Sequence, residues 1–216
     1  MHRQSPTTWT LEIAAACMLQ VLCAGPATAD TRLNHLLVES PLSQDVQVID
    51  VATRKVVRNI EIREHTDDVM GSPDGSVFYV VAQDDMRSPF GYQTNESGKV
   101  MAFDSRTLQP LWSVALDGSP NHVSRSPDGK RIYVPLYTRH WMVVLRADDG
   151  SIEQWWPATI GNHATEISAD GKRLYVGNMV TDTIYVYDTG TGRVLTAMDV
   201  GESVRPIVLD EPRGLI

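Results

Sequence analysis

Residues 168–188 read SADGKRLYVGNMVTDTIYVYD, and this stretch decides the fold. Asp170-Gly171 is a tight-turn pair, because glycine accepts the positive φ that short hairpin connections require. After it comes an apolar run, Leu174-Tyr175-Val176, and beyond a polar connection a second run, Ile184-Tyr185-Val186-Tyr187, closed by Asp188. Short β-branched and aromatic runs bounded by turn residues describe neighbouring strands of an antiparallel sheet. Beyond residue 29 no segment sustains the 3.6-residue spacing of an amphipathic helix.

The same pattern recurs along the chain. Ser-x-Asp-Gly occurs at Ser72-Pro73-Asp74-Gly75, Ser126-Pro127-Asp128-Gly129 and Ser168-Ala169-Asp170-Gly171, with a degraded copy at Glu211-Pro212-Arg213-Gly214, at offsets of 54, 42 and 43 residues. The alternating apolar run occurs at 46–50, 100–104, 142–146 and 184–188, at offsets of 54, 42 and 42, so the two series run in step. A fixed period of this size is the mark of a repeat architecture. Four short strands per period, repeated about an axis, are the blades of a propeller. The expected fold is therefore all-β, a β-propeller of four-stranded antiparallel blades with about four blades present.

Tyr175-Val176-Gly177-Asn178 followed by Thr183-Ile184-Tyr185-Val186-Tyr187-Asp188 resembles the YVTN β-propeller repeat, and Lys130-Arg131-Ile132-Tyr133-Val134-Pro135 after Ser-Pro-Asp-Gly matches its other half. The resemblance covers about residues 33–210. It implies an extracytoplasmic protein and, commonly, seven blades. A closed ring of seven such units takes on the order of 290 residues, so the sequence reads as a partial propeller. On this reading 33–62 supplies three strands, 66–117, 121–160 and 163–200 are whole blades, and 204–216 begins another. An open ring exposes a blade face and unpaired backbone unless another chain covers them.

The first 29 residues read as an export signal. His2 and Arg3 lead into an apolar stretch at 11–22, broken by Glu12 and Gln20, and Ala27-Thr28-Ala29 before Asp30 is a small-x-small cleavage site. The stretch is too short and interrupted to span a bilayer, so no stable membrane span is expected. Leu22 and Gln20 fit a lipid-attachment signal at Cys23 poorly. The mature chain, periplasmic or secreted, would start at Asp30 and lack Cys17 and Cys23, which removes disulfide and thiolate chemistry. A net charge of -8 without a basic run argues against nucleic acid and anionic membranes as partners. A protein or a small-molecule ligand is the expected partner.

In blades with strands in the order A-B-C-D, the B-C loops and the D-to-A links share one face and the A-B and C-D turns share the other. The D-to-A links hold Glu64-His65, Asn121-His122 and Asn162-His163. The B-C loops hold His140 and an insertion at about 86–99 that carries Phe90, Gly91 and Tyr92. Long loops in compact repeats are more often functional than short ones. The expected site therefore has His65, His122 and His163 lining the channel mouth beside Asn121 and Asn162, with Tyr92, Tyr137, Arg139, His140 and Asn178 at the rim. His122 and His163 are the candidates if a divalent metal or haem binds. The competing reading, that these histidines and asparagines merely cap strand ends, stays open at this point.

Turn geometry accounts for the Ser-x-Asp-Gly segments. Trp141, Trp155 and Trp156 read as inter-blade packing, and Asp84-Asp85 and Asp148-Asp149 as solvated turn acids. No nucleophile elbow, phosphate-binding glycine loop or HExxH helix is present. The function expected is a non-enzymatic binding or scaffold propeller, with no resident cofactor, that uses its loop face. Two alternatives follow from resemblance of fold. One is a redox propeller similar to the haem-d domain of cytochrome cd-type nitrite reductase or the heavy subunit of amine dehydrogenases, where the lack of a CxxCH motif leaves any haem noncovalent. The other is a lactonase-like hydrolase, which needs carboxylates converging on a metal, whereas the acids here read as turn residues.

Overall fold

The computed structural model describes residues 34–84 and 97–216. Their strands form four antiparallel sheets in chain order. The first holds β1 (His35–Ser40), β2 (Asp45–Asp50) and β3 (Lys55–Glu61). The second holds β4 (His65–Gly71), β5 (Val77–Gln83), β6 (Gly98–Asp104) and β7 (Pro110–Leu116). The third holds β8 (Ser124–Arg125), β9 (Arg131–Pro135), β10 (Trp141–Arg146) and β11 (Ile152–Pro157). The fourth holds β12 (Asn162–Ile167), β13 (Arg173–Asn178), β14 (Thr183–Asp188) and β15 (Val194–Asp199). Only chain neighbours pair, so each sheet is a meander and the arrangement is the propeller that the repeat predicts. No helix among the described residues is long and apolar enough to cross a membrane.

The first sheet has three strands because its innermost one is missing among the described residues. Its β1 pairs His35 with Asp50, as β13 pairs Arg173 with Asp188, so β1 is a second strand rather than an inner one. At the other end, residues 204–210 follow the fourth blade where the next inner strand would lie. They lay Val204, Ile207 and Leu209 over Ala164, Ile184 and Met198.

Successive blades cover one another, which explains why the middle strands are apolar on both faces. Phe78, Tyr79, Val80, Val81 and Ala82 of β5 are all buried. Val81 packs towards Val134 and Val143 of the third blade, while Phe78 and Val80 pack towards Val46 and Val48 of the first.

Each Ser-x-Asp-Gly turn is closed on itself. In the first, Ser72 Oγ donates to Asp74 Oδ1 at 2.7 Å and accepts from the Val77 amide at 3.0 Å, while the Ser76 amide donates to the same carboxylate at 3.0 Å. These donors hold the Asp74 carboxyl down at about 2, the Ser76 amide foremost. Gly129 and Gly171 have φ of 72° and 71°, and a Cβ there would come within 2.9 Å and 3.1 Å of the rings of Pro73 and Pro127 in the preceding turn. The motif is thus a stacking device between blades.

The tryptophans need one correction. Trp156 is 3 % exposed and stacks on Tyr187 at 6.0 Å, with Gly192 of the next blade beneath its indole. Trp112 does the same one blade earlier, against Gly150. Trp141 and Trp155, expected between blades, are instead 47 % and 49 % exposed. The reason is strand parity: Trp155 and Trp156 are adjacent in β11, so their side chains leave opposite faces.

Candidate functional site

The inner strands and the link leading into β8 carry Asp67, Asn121 and His163 five residues before each turn serine, and Asp68, His122 and Ala164 four before it. In β4 the ladder slips between Thr66 and Asp68, and in β12 between Asn162 and Ala164, so Asp67 and His163 are bulge residues. A bulge leaves one residue unpaired and re-aims its side chain. The His163 ring lies edge-on to His122 of the preceding blade, with centroids 4.9 Å apart at 64°. The two backbones are tied as well. The His122 amide donates to the His163 carbonyl at 3.1 Å, and the Thr165 amide and hydroxyl donate to the His122 carbonyl at 3.2 Å and 3.0 Å. Tyr137 closes one side, its ring edge-on to His163 at 6.4 Å.

One blade back, Asp68 occupies the register position of His122. Its carboxylate accepts from the Val69 amide and, across the blade boundary, from the Val123 amide, each at 2.9 Å. Its Oδ1 stands 4.0 Å from His122 Nδ1, an ion-pair contact too long for a hydrogen bond. Glu39 at the end of β1 accepts from the Thr66 hydroxyl at 3.1 Å.

This neighbourhood shifts proton affinities in opposite directions. Burial pushes the Asp67 carboxyl up to about 7; Asp68 and Glu39 add to the rise, and His122 and Arg205 oppose it. Burial also raises Glu39, with Asp68 contributing. Burial alone would lower His122, but Asp68, Asp67 and Glu39 together outweigh it and raise its pKa. His163 falls to about 4, through burial first and then the proximity of His122 and Arg205. Adjacent imidazoles are therefore held in different states, His163 neutral at physiological pH and His122 favouring the proton more than a free histidine.

Buried polar atoms usually find a hydrogen-bond partner. Here Glu64 Oε2, Asp67 Oδ2, His122 Nδ1, Asn162 Nδ2 and His163 Nδ1 are buried without one. All five belong to the D-to-A links or the start of an inner strand.

Other expected site residues fall elsewhere. His65 opens β4 opposite Gln83 and is not the counterpart of His122, because the repeat puts Asp68 there. Asn121, Asn162 and Asn178 are enclosed; Asn121 and Asn178 are occupied by the scaffold, and Asn162 only at its Oδ1, which accepts from Thr159 and Asn178. Asn121 accepts from Gln83 and donates to the Ser119 carbonyl. Asn178 donates to Ile160 and Asn162 and accepts from the Val180 and Thr181 amides. Arg139 pairs with Asp117, and His140 is exposed. Tyr92 and its loop, with the cleavage site at Ala29 and Asp30, lie outside the described residues.

Two features were missed in the sequence. Glu39, Asp67 and Asp68, none of them among the expected site residues, gather at the channel end, and Arg205 acts on both Asp67 and His163. Aligning the repeat on its turn serine exposes the first. No group of three or more His, Cys, Asp or Glu able to hold a metal occurs among the described residues.

The opposite face carries a groove of about 1070 Å³ lined by the Ser-x-Asp-Gly turns and Arg131. There Asp74, Asp128 and Asp170 are spent on their own turns, and Arg131 on Glu153.

No family model matches the chain. Among solved structures it is similar to Kuenenia stuttgartiensis hydrazine synthase, with a TM-score of 0.70 and 22 % identity over 83 % of this chain and 50 % of that one. The chain thus spans half of that chain, and likeness at this identity carries the architecture alone.

Proposed function

We propose that the chain is an exported propeller module that binds a small molecule or a protein partner on the face of its D-to-A links and B-C loops, with His122 and His163 reading the partner. The observation that carries this reading is the pair of neighbouring imidazoles, His163 buried and His122 half-buried, whose buried Nδ1 atoms have no hydrogen-bond partner. Leaving a buried polar group unmade costs about 1–3 kcal/mol, a cost that a bound ligand relieves. The turn face offers no comparable demand, since its carboxylates are consumed by their own loops. The chemistry also selects. Glu39, Asp67 and Asp68 all lie within electrostatic reach of His122, which favours a polar ligand without net negative charge.

A second reading draws on one further observation. Burial keeps His163 neutral, the form of imidazole that coordinates iron, so noncovalent haem with His163 as axial ligand is the redox alternative.

Both readings meet one experiment. Histidine side-chain NMR of the wild type and of His122→Ala/His163→Ala would be followed while a fragment set of neutral and cationic polar compounds, a matched set of carboxylates and haem are titrated separately. The binding reading expects neutral or cationic fragments to shift His122 and His163 and to lose affinity in the double variant. A Soret band that needs His163 would favour haem. Fragments and haem that bind both proteins equally would overturn both.

A further inference from the structure

Hydrogen-bonding capacity is left over at the link end with a definite polarity. On the second blade the surplus is an acceptor: Asp67, re-aimed by its bulge, keeps Oδ2 buried without a donor. On the fourth blade the surplus is a donor. Asn178 turns its oxygen to the Val180 and Thr181 amides at 2.8 Å each, so the group it presents to Asn162 is its NH2. Asn162 has to answer with Oδ1, which also accepts from the Thr159 hydroxyl, and its Nδ2 is thereby fixed as the free end. That side chain is wholly buried, and Nδ2, which can only donate, has no acceptor. His163, 8 % exposed, follows it in the chain, and its ring lies against that of His122.

Charge is distributed in the same sense. Glu39 stands near the end of β1, and Asp67 and Asp68 in β4, so the negative groups belong to the first two blades. Arg205 follows the fourth. Its segment is anchored at the link end, where the Val204 amide donates to the Asn178 carbonyl at 3.3 Å. Val204 also covers Gly177 so closely that a Cβ there would meet it at 2.6 Å. Arg205 is exposed, and no hydrogen bond or ion pair among the described residues uses it. It nevertheless lies within electrostatic reach of both Asp67 and His163. A guanidinium and a carboxylate that sense each other without pairing leave a gap for a molecule that carries the opposite sign at each end.

We propose, on the reading of the link face as the binding face, that its ligand is a small zwitterion. The ammonium is held by Asp67 and the carboxylate by Arg205 and the Asn162 amide, with His122 and His163 between the two ends. An amine alone would leave Asn162 Nδ2 without an acceptor, and a carboxylate alone would leave Asp67 Oδ2 without a donor and be repelled by Glu39 and Asp68. A molecule with both groups answers both deficits and brings no net charge into the channel end.

The test is calorimetric titration of the full chain at about pH 8, above the Asp67 titration near 7, with histidine side-chain NMR in parallel. Glycine and β-alanine serve as zwitterions, methylamine and acetate as their charged halves. At least one zwitterion is expected to bind about tenfold or more tighter than either half, the worth of an added charge-assisted hydrogen bond. Arg205→Gln, a change at an exposed side chain, is expected to remove that gain while the affinity for methylamine does not fall. Asn162→Asp keeps the oxygen that Thr159 and Asn178 need and turns the free donor into an acceptor, so it is expected to weaken the zwitterion and not the amine. Asp67→Asn is expected to weaken both. Zwitterions no tighter than methylamine overturn the proposal, as does an Arg205→Gln chain that binds them like the wild type, or zwitterion binding that leaves both histidines unshifted. Methylamine shifts at His122 and His163 would in those cases keep the binding reading standing, whereas compounds that shift neither histidine overturn that reading as well.

Discussion

Trp156→Ala is the perturbation that weighs the stacked-blade account most heavily against its alternative. The indole is buried between the third and fourth blades, 5.5 Å from the Tyr133 ring and 6.0 Å from that of Tyr187. Its Nε1 donates to Gln154 Oε1 at 2.7 Å. Truncating a buried Trp costs about 3–5 kcal/mol, and losing two ring contacts adds about 0.5–1.5 kcal/mol each where they are well formed. A loss of about 4–8 kcal/mol is expected, against a total stability of about 5–15 kcal/mol for a typical domain. Trp155, one residue away and 49 % exposed, should cost less than about 0.5 kcal/mol when replaced by Ala. Urea denaturation followed by circular dichroism measures both, with Trp156→Phe as a milder variant should Trp156→Ala not fold. Because blades contact mainly their neighbours, Trp156→Ala should also split the transition, the fourth blade melting first. Equal losses for Trp155 and Trp156, or a larger loss at Trp155, would refute the assignment of blade faces.

Gly192→Ala and Gly75→Ala separate strain from contact. Both glycines have positive φ, but a Cβ at Gly192 would meet Trp156 at 2.4 Å whereas one at Gly75 meets nothing within 4 Å. Thermal melts should show a loss of about 1–2 kcal/mol at Gly75, the cost of a left-handed alanine, and a clearly larger loss at Gly192. Asp68→Ala strips the Val123 amide of its acceptor across the second blade boundary, so about 2–3 kcal/mol should be lost in chemical denaturation; a neutral outcome would mean that water replaces the carboxylate. His163 gives a pH signature. Its pKa falls from 6.5 unfolded to about 4 folded, so its contribution is present above pH 6.5 and lost as pH drops towards 4. Relative to His163→Gln, the wild type should lose up to about 3 kcal/mol across that window, read as Tm against pH; parallel curves would show that the ring is charged or solvated in the fold.

The architecture was legible because its signals are local. Asp170-Gly171 needs only glycine's backbone freedom, and the run closed by Asp188 only strand parity, so periodicity alone placed the blades. The three strands of the first sheet followed from the same phase, whereas which strand is missing among the described residues came from the pairing of β1 with β2. What failed depended on contacts between blades. Trp155 and Trp156 are indistinguishable in composition, and only the facing of β11 decides which is buried. Asp67 was not singled out, because a β-bulge, invisible without the ladder, sets its place. His65 was grouped with His122 and His163 by proximity to a link, whereas counting back from the turn serine gives Asp68 instead. Asn178 was legible as a residue at the loop end, but its five hydrogen bonds to the scaffold are a property of the folded link.

The division of labour between faces follows from where hydrogen-bonding capacity is left over. On the turn face each Ser-x-Asp-Gly unit satisfies its own donors and acceptors, and the first two pack Pro73 and Pro127 on the next unit's glycine, which fixes the blades and leaves little to offer a ligand. At the link end the bulges at Asp67 and His163 interrupt the ladder, burying polar atoms faster than the fold can pair them. Crystallographic fragment screening compares the two faces most directly, with the same neutral, cationic and carboxylate compounds soaked into crystals of the wild-type chain. The account predicts neutral or cationic fragments hydrogen-bonded to His122 or His163 at the channel end, with the turn groove empty or sparsely occupied. Fragments gathering between Asp74, Asp128 and Arg131 while both imidazoles stay bare would contradict it.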